Sequence, residues 1–324
     1  MSPLVPAFDF HRVFLAPWAQ DSTGFGWIVL MGFLVTAACG LIGNFLILRR
    51  MALVGDAISH SVLPGLAVAF LLSQSRGTTA MFLGALAAGL VATVLIELIH
   101  KKSRVKQDAA IGIAFTSLFA LGVILINLFA GKGGVDLDQE CVLYGEIAFV
   151  PLEPMVTFAG QAVGPTPVVR MALVAAATAL LIALFYKELL VSSFDPALAV
   201  SFGINATLVH YLLMGWLSVV VVSAFESVGA ILVIAMLILP GATATLLSRR
   251  LPWMLGWTIL HAALSALLGV HLAVWLDCSP AGAMVVAGTL LFQAAWLLSP
   301  GEGLISRSLY TRLKDPVALS QEKG

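Results

Sequence analysis

Asp56 and His60 stand four positions apart in the run Gly55-Asp56-Ala57-Ile58-Ser59-His60, at the head of an apolar stretch. Positions i and i+4 of a helix share one face, so a carboxylate and an imidazole at this spacing can grip one cation. Ionisable groups at membrane depth are costly and serve function by default. Carboxylate plus imidazole is a borderline-hard donor set that suits Mn2+, Fe2+ or Zn2+. Cu+ prefers sulfur, and Ca2+ and Mg2+ prefer oxygen alone. One chain supplies two donors. Two chains meeting at this face would supply two carboxylates and two imidazoles, enough to displace most of a divalent ion's hydration shell. A complete site therefore calls for a homodimer or pseudo-symmetric dimer with the ion on its axis. The competing reading pairs Asp56 with Arg49 or Arg50, a short way back along the chain, and holds it at the membrane edge.

The residues around the pair read as a helix interrupted on both sides. Gly55 gives a flexible entry, and Pro64-Gly65 is expected to break the helix after it. Broken helices at membrane depth are tolerated where they line a cavity, and transporters build substrate sites from them.

The elements that must carry this site follow from composition. Of 324 residues, 60% are hydrophobic and 10% charged, against about 25% charged in a soluble domain. Apolar runs of about 18 residues or more fill the difference, which is the length that crosses a bilayer. The fold class is an all-α polytopic membrane protein; the alternating ten-residue segments of a β-barrel are missing. Expected spans are 26–48, 55–73, 79–100, 109–130, 168–191, 210–225, 228–247, 253–276 and 283–299. That makes nine, or eight if Glu226 and Ser227 mark a break inside one helix rather than a turn between two. Of the 17 Lys and Arg, only Arg12, Arg76, Lys132 and Arg170 fall in outer loops if the N-terminus is outside. The excess of positive charge inside then predicts an external N-terminus and a cytoplasmic C-terminus.

The loops divide the chain into an interfacial N-terminal segment (1–25), one transmembrane domain (26–307) and a cytoplasmic tail (308–324). The outer loop 131–167 carries Asp136, Asp138, Glu140, Glu146 and Glu153 against a single Lys132, and an acidic mouth would concentrate cations or meet a basic partner. The inner loop holds Asp195-Pro196, an N-cap followed by Pro at the first helical position, and Gly203 as a stop. A short cytoplasmic helix over about 196–202 follows, suited to docking a soluble partner. Glu97 and His100 are expected to face headgroups or solvent at a span end. His261 and His271 share a helix face but are weaker ligand candidates. Glu226 is a candidate gating group, and Cys141 and Cys278 could form an external disulfide. Zero net charge gives no case for nucleic acid, and the N-terminus lacks a basic region and cleavage site, so no signal peptide is expected. Gly131-Lys132-Gly133-Gly134 lacks P-loop spacing, so ATP is not expected to bind here. No H-E-x-x-H or G-x-S-x-G motif anchors an enzyme reading.

The stretch from Gly43 to Gly65 resembles the manganese, zinc and iron ABC transporter permeases, whose pattern there runs close to R-x-x-L-x-G-D-A-x-S-H-x-x-L-P-G. Val228 to Ala244, Phe194 to Ile204 and Ser299 to Arg307 are similar to further family segments. The second of these has Pro240-Gly241, where the family more often has Pro-Ala. The resemblance implies the membrane subunit of a bacterial importer in the cytoplasmic membrane, type II-like in fold, with no permanent cofactor and a transported divalent cation. It implies a second permease copy or paralogue, cytoplasmic ATP-binding subunits and an extracytoplasmic metal-binding protein as partners. It implies that Asp56 and His60 hold the ion. Coupling to the ATPase would fall to Phe194, Asp195, Pro196, Leu198, Phe202 and Gly203. The residues themselves, rather than the family pattern, suggest helix breaks or gating at Gly55, Pro64, Gly65, Glu226, Pro240 and Gly241. Manganese is slightly favoured. The rival readings are an ABC permease for a siderophore or cobalamin and a gradient-driven secondary transporter.

Overall fold

In hydrocarbon every backbone N–H and C=O must be satisfied within the protein, so apolar runs of this length become helices. The computed structural model describes residues 6–73, 78–133, 146–158, 160–299 and 303. A π-helical turn His11–Leu15 leads into α1 (Ala16–Gln20), α2 (Ser22–Leu48), α3 (Val54–Ser73), α4 (Thr78–Lys102) and α5 (Gln107–Gly133). A 3-10 turn, Ile147–Leu152, and a hairpin of β1 (Met155–Phe158) and β2 (Gln161–Pro165) precede α6 (Thr166–Leu184), α7 (Tyr186–Phe194) and α8 (Pro196–Ser201). The chain ends in α9 (Ala206–Leu247), α10 (Leu251–Leu276) and α11 (Pro280–Leu298). Among the described residues eight helices are long and apolar enough to cross a membrane, and Leu232–Leu247 is a shorter apolar one.

The nine-or-eight ambiguity resolves into a hairpin within α9. Near one face of the bundle His271 Nδ1 lies 2.9 Å from the Val13 carbonyl, and Phe25 packs on the His271 ring. The far ends of α2 and α10 therefore share the opposite face. Arg49 bonds His210 there, at the start of α9. Ser299 donates to the Leu246 carbonyl there too, next to the start of α10. Both ends of α9 thus lie on one side, and the chain must turn back between them. The turn is Gly229, at φ 77 and ψ 166, the one non-helical residue inside α9. That region of backbone space is essentially reserved for glycine. The sequence had pointed to Glu226 and Ser227; their side chains lie outside the described ones.

The second arm, with Leu232, Val233, Met236 and Leu237 buried, packs against α2 and α11: Leu237 lies against Gly43 and Met236 against Gly288. The first arm meets α3 and α4, where Val222 clusters with Val62 and Ala85 and His210 bonds Glu97, and Leu237 of the second arm also reaches Gly55 of α3. α3 lies between α4 and α5. It approaches α4 so closely that a Cβ on Gly65 would strike the Gly84 carbonyl, and one on Gly84 the Gly65 carbonyl. Small residues at such crossings let membrane helices pack backbone to backbone. The break expected at Pro64-Gly65 does not occur: α3 runs unbroken through Pro64. Membrane helices tolerate internal proline when neighbouring helices cover the disrupted turn, and Gly122 of α5 leaves room for the Pro64 ring. α9 likewise continues through Pro240. Gly241 there is a contact with Asn44 and Ile47 of α2 rather than a break.

Candidate metal-ion site

Asp56 lies in the first turn of α3 and His60 one turn on, as i,i+4 spacing requires. His60 Nε2 lies 3.3 Å from Asp56 Oδ1. This is longer than the 2.7–2.9 Å of a tight charge-assisted bond, so the two groups neighbour one another without being locked together. Their side chains are 40% (Asp56) and 28% (His60) exposed, while Ala57, Ile58, Ser59 and Ser61 between and beside them are buried. The pair therefore faces an open side of the bundle. Phe115 and Phe119 of α5 flank the imidazole at centroid distances of 5.3 and 6.1 Å. These aromatics fix the ring against one wall. Reading by sequence missed them, because nothing in their i,i+4 spacing separates them from ordinary core residues.

Pro64 adds a local feature. It has no N–H to give the carbonyl four residues back, and that carbonyl belongs to His60. The helix therefore lacks the Pro64-to-His60 backbone bond one turn after the imidazole. Among the described residues no group of three or more His, Cys, Asp or Glu side chains gathers anywhere. Among the described residues this face carries two donors and no third.

Arg49 does not compete for Asp56. It caps α2 and turns the other way, donating from Nε to Ser193 Oγ at 3.0 Å and from Nη2 to Ser192 Oγ at 2.9 Å. Its Nη1 lies 3.2 Å from His210 Nδ1. Burial lowers the guanidinium pKa from its ordinary value. Arg50 caps the connection in left-handed backbone at φ 59.

Glu97 is a correction. It was expected to face headgroups or solvent, yet it is 5% exposed. Its Oε1 lies 2.6 Å from His210 Nε2 and its Oε2 2.8 Å from Lys101 Nζ. Arginine can only donate, so His210 Nδ1 accepts and its Nε2–H donates to Glu97. His261 and His271 do not come together as a ligand pair: His271 is taken by Val13 on the face opposite α9's ends, and His261 is buried in the core.

The short helix opened by Asp195 and Pro196 has the expected form. Asp195 Oδ1 accepts from the backbone N–H groups of Ala197 and Leu198, each at 3.0 Å, and Pro196 opens α8. Gly203 ends the segment at φ 78. Phe194 just before α8, Leu198 within it and Phe202 just after it are 60%, 46% and 65% exposed. Glu226, Cys141, Asp136, Asp138, Glu140 and the tail 308–324 lie outside the described side chains or residues.

The family described as the ABC 3 transport family matches residues 25–299. A manganese transport system membrane protein, MntD of Bacillus subtilis, is 47% identical over 285 residues, 88% of this chain and 95% of that protein. A zinc transport system membrane protein, TroD of Treponema pallidum, is 44% identical over 285 residues, 88% of this chain and 77% of that protein. Among solved structures, PsaBC from Streptococcus pneumoniae in complex with Fab is 34% identical with a TM-score of 0.72, covering 92% of this chain and 98% of that one. A metal-chelate type ABC transporter in an inward-facing conformation shares the fold at TM-score 0.58 and 18% identity, covering 83% of this chain and 84% of that one.

Proposed function

The chain belongs to the ABC 3 transport family, and from that premise we propose that it is the permease subunit of an importer moving a divalent transition-metal ion, manganese by preference, across the cytoplasmic membrane. It is a multi-pass transport subunit and not an enzyme; ATP hydrolysis belongs to a separate subunit. The named functions of its relatives, manganese in MntD and zinc in TroD, support this cargo class.

The observation that carries the site assignment is the open Asp56–His60 pair. A carboxylate and an imidazole left facing lipid would be expensive. A second permease copy, or a paralogue, laid against this face of α3 removes them from lipid and completes a four-donor shell. Four mixed oxygen and nitrogen donors suit Mn2+, Fe2+ or Zn2+. A 3.3 Å separation without a locking bond leaves both groups free to turn toward an ion. Phe115 and Phe119 limit water at the imidazole, which strengthens its hold on a cation while the ion is in transit.

Transport then follows from helix movement. A metal-binding protein on the outside delivers the ion to the dimer axis. Cytoplasmic ATPase subunits grip the exposed Phe194, Leu198 and Phe202 around α8, with Asp195, Pro196 and Gly203 fixing that helix's two ends. Closure of the ATPases moves α8 and, through the bundle, the two α3 helices. Separating the two Asp56–His60 pairs breaks the shell and releases the ion inward. The N-terminus lies outside in this arrangement, as the distribution of Lys and Arg requires. Gly55, Pro64, Gly65, Pro240, Gly241 and Glu226 line or support the moving helices.

The test is uptake of radioactive manganese in cells carrying the transporter with Asp56→Ala or His60→Ala. Loss of uptake with normal membrane abundance is expected. Unchanged uptake in both variants would remove the site assignment.

A further inference from the structure

We propose that Arg49 is a positioning residue for transport: it ties both flanks of the cytoplasmic helix α8 to the turn that begins α3, so that movement at α8 reaches Asp56. The inference rests on the reading of the chain as an ATP-driven permease. Its geometry is separate from the ion site.

α8 hangs between two elements, and Arg49 holds both. Ser192 and Ser193, near the end of α7 just before α8, accept from its Nη2 and Nε at 2.9 and 3.0 Å. His210, one turn into α9 just after α8, accepts from its Nη1 at 3.2 Å. One planar guanidinium thus uses its fork on three acceptors from two helices. Such fixed donor geometry distinguishes arginine from lysine. His210 passes the link on to Glu97 at 2.6 Å, and Glu97 to Lys101 at 2.8 Å, so α4 is held in the same network.

The other side of Arg49 is the backbone leading to the ion site. Arg49 follows the last residue of α2, and the connection to α3 is short and internally bonded. Arg50 N–H donates to the Ile47 carbonyl, Met51 N–H to Leu46 and Val54 N–H to Met51. Arg50 sits in left-handed backbone. A turn so pinned has few ways to deform, and Asp56 comes in the first turn of the helix it launches. The network also walls a cavity of about 450 Å3 bordered by Arg50, His100, Gln107 and Pro196. Room is therefore present for the α8 flanks to shift against α4.

A merely structural Arg49 would hold the fold together, and its loss would lower stability, ATP hydrolysis and uptake alike. A positioning role separates them. The experiment reconstitutes the complete transporter, with its ATPase and metal-binding subunits, in liposomes and measures manganese moved per ATP hydrolysed. The double variant Ser192→Ala with Ser193→Ala cuts the tie to α7 while sparing Arg49, and Arg49→Lys keeps the charge but loses the fork. Both are expected to lower the ratio of manganese to ATP by about tenfold, within the range found for coupling networks. Manganese affinity of the purified permease dimer should stay unchanged, because Asp56 and His60 are untouched. Parallel loss of hydrolysis and uptake at constant ratio, or no change in the ratio for either variant, would overturn the proposal. Asp56→Ala runs alongside: if it retains uptake, the ion-site reading fails, while the Arg49 proposal is still judged on the ratio alone.

Discussion

Asp56 with His60 and Glu97 with His210 are both carboxylate–imidazole pairs in the same bundle, and they are built in opposite ways. The first pair is 3.3 Å apart, half-open and without a further hydrogen-bond partner among the described residues. The second is 2.6 Å apart, with Glu97 almost wholly buried, and each member is claimed again, His210 by Arg49 and Glu97 by Lys101. A buried charge is stable only when paired and hydrogen-bonded, and the Glu97 network meets that condition within one chain. The Asp56 pair is left open, and on the function proposed above an ion and a second subunit complete it. On that reading the same two residue types serve transit in one place and fixation in the other, and satisfaction of their hydrogen bonds tells the two apart.

The comparison breaks first at the ion pair. His60→Ala or Asp56→Ala should reduce manganese uptake by more than the roughly 10- to 100-fold that loss of a residue merely supporting a metal ligand costs. Isotope uptake at equal membrane abundance measures this. Next comes the stability contrast. Glu97→Ala strands His210 and Lys101 without their acid and should cost about 3–5 kcal/mol. Asp56→Asn should stay within about 0.5 kcal/mol, as at other open positions. Thermal unfolding of the purified protein in detergent separates the two; equal losses would erase the distinction drawn here. Gly229→Ala forces a Cβ into glycine-only backbone and should destabilise by about 1–3 kcal/mol, read in the same assay. Smallest is Asp195→Ala, which removes the cap of α8. A loss of about 1 kcal/mol should weaken capture of the ATPase subunit several-fold in a binding assay, without altering manganese affinity.

How much was legible follows the same division. Asp56 and His60 are neighbours in sequence and on the helix, so spacing alone reveals them. α8 carries its start and stop in Asp195, Pro196 and Gly203, and helix ends are local chemistry. Arg49 and Glu97 find their partners 161 and 113 residues away at His210, and no periodicity records a contact made by packing. Pro64 misled for a related reason. Its missing N–H is visible in sequence, but the α4 and α5 surfaces that cover the helix there are not. The reversal in α9 was anticipated, yet placed at the polar Glu226-Ser227 rather than at Gly229. Polarity suggests a turn, whereas backbone freedom makes one.

That reversal has a consequence for how the chain is threaded. Both ends of α9 lie on one side of the bundle, so Ala206–Leu247 returns the chain to the face it left. α10 then starts from the face where α9 started. Gly229 therefore sets the parity of everything after it. A residue unable to hold its backbone conformation would threaten more than one turn: straightening α9 would carry its end, and with it α10 and α11, to the opposite face.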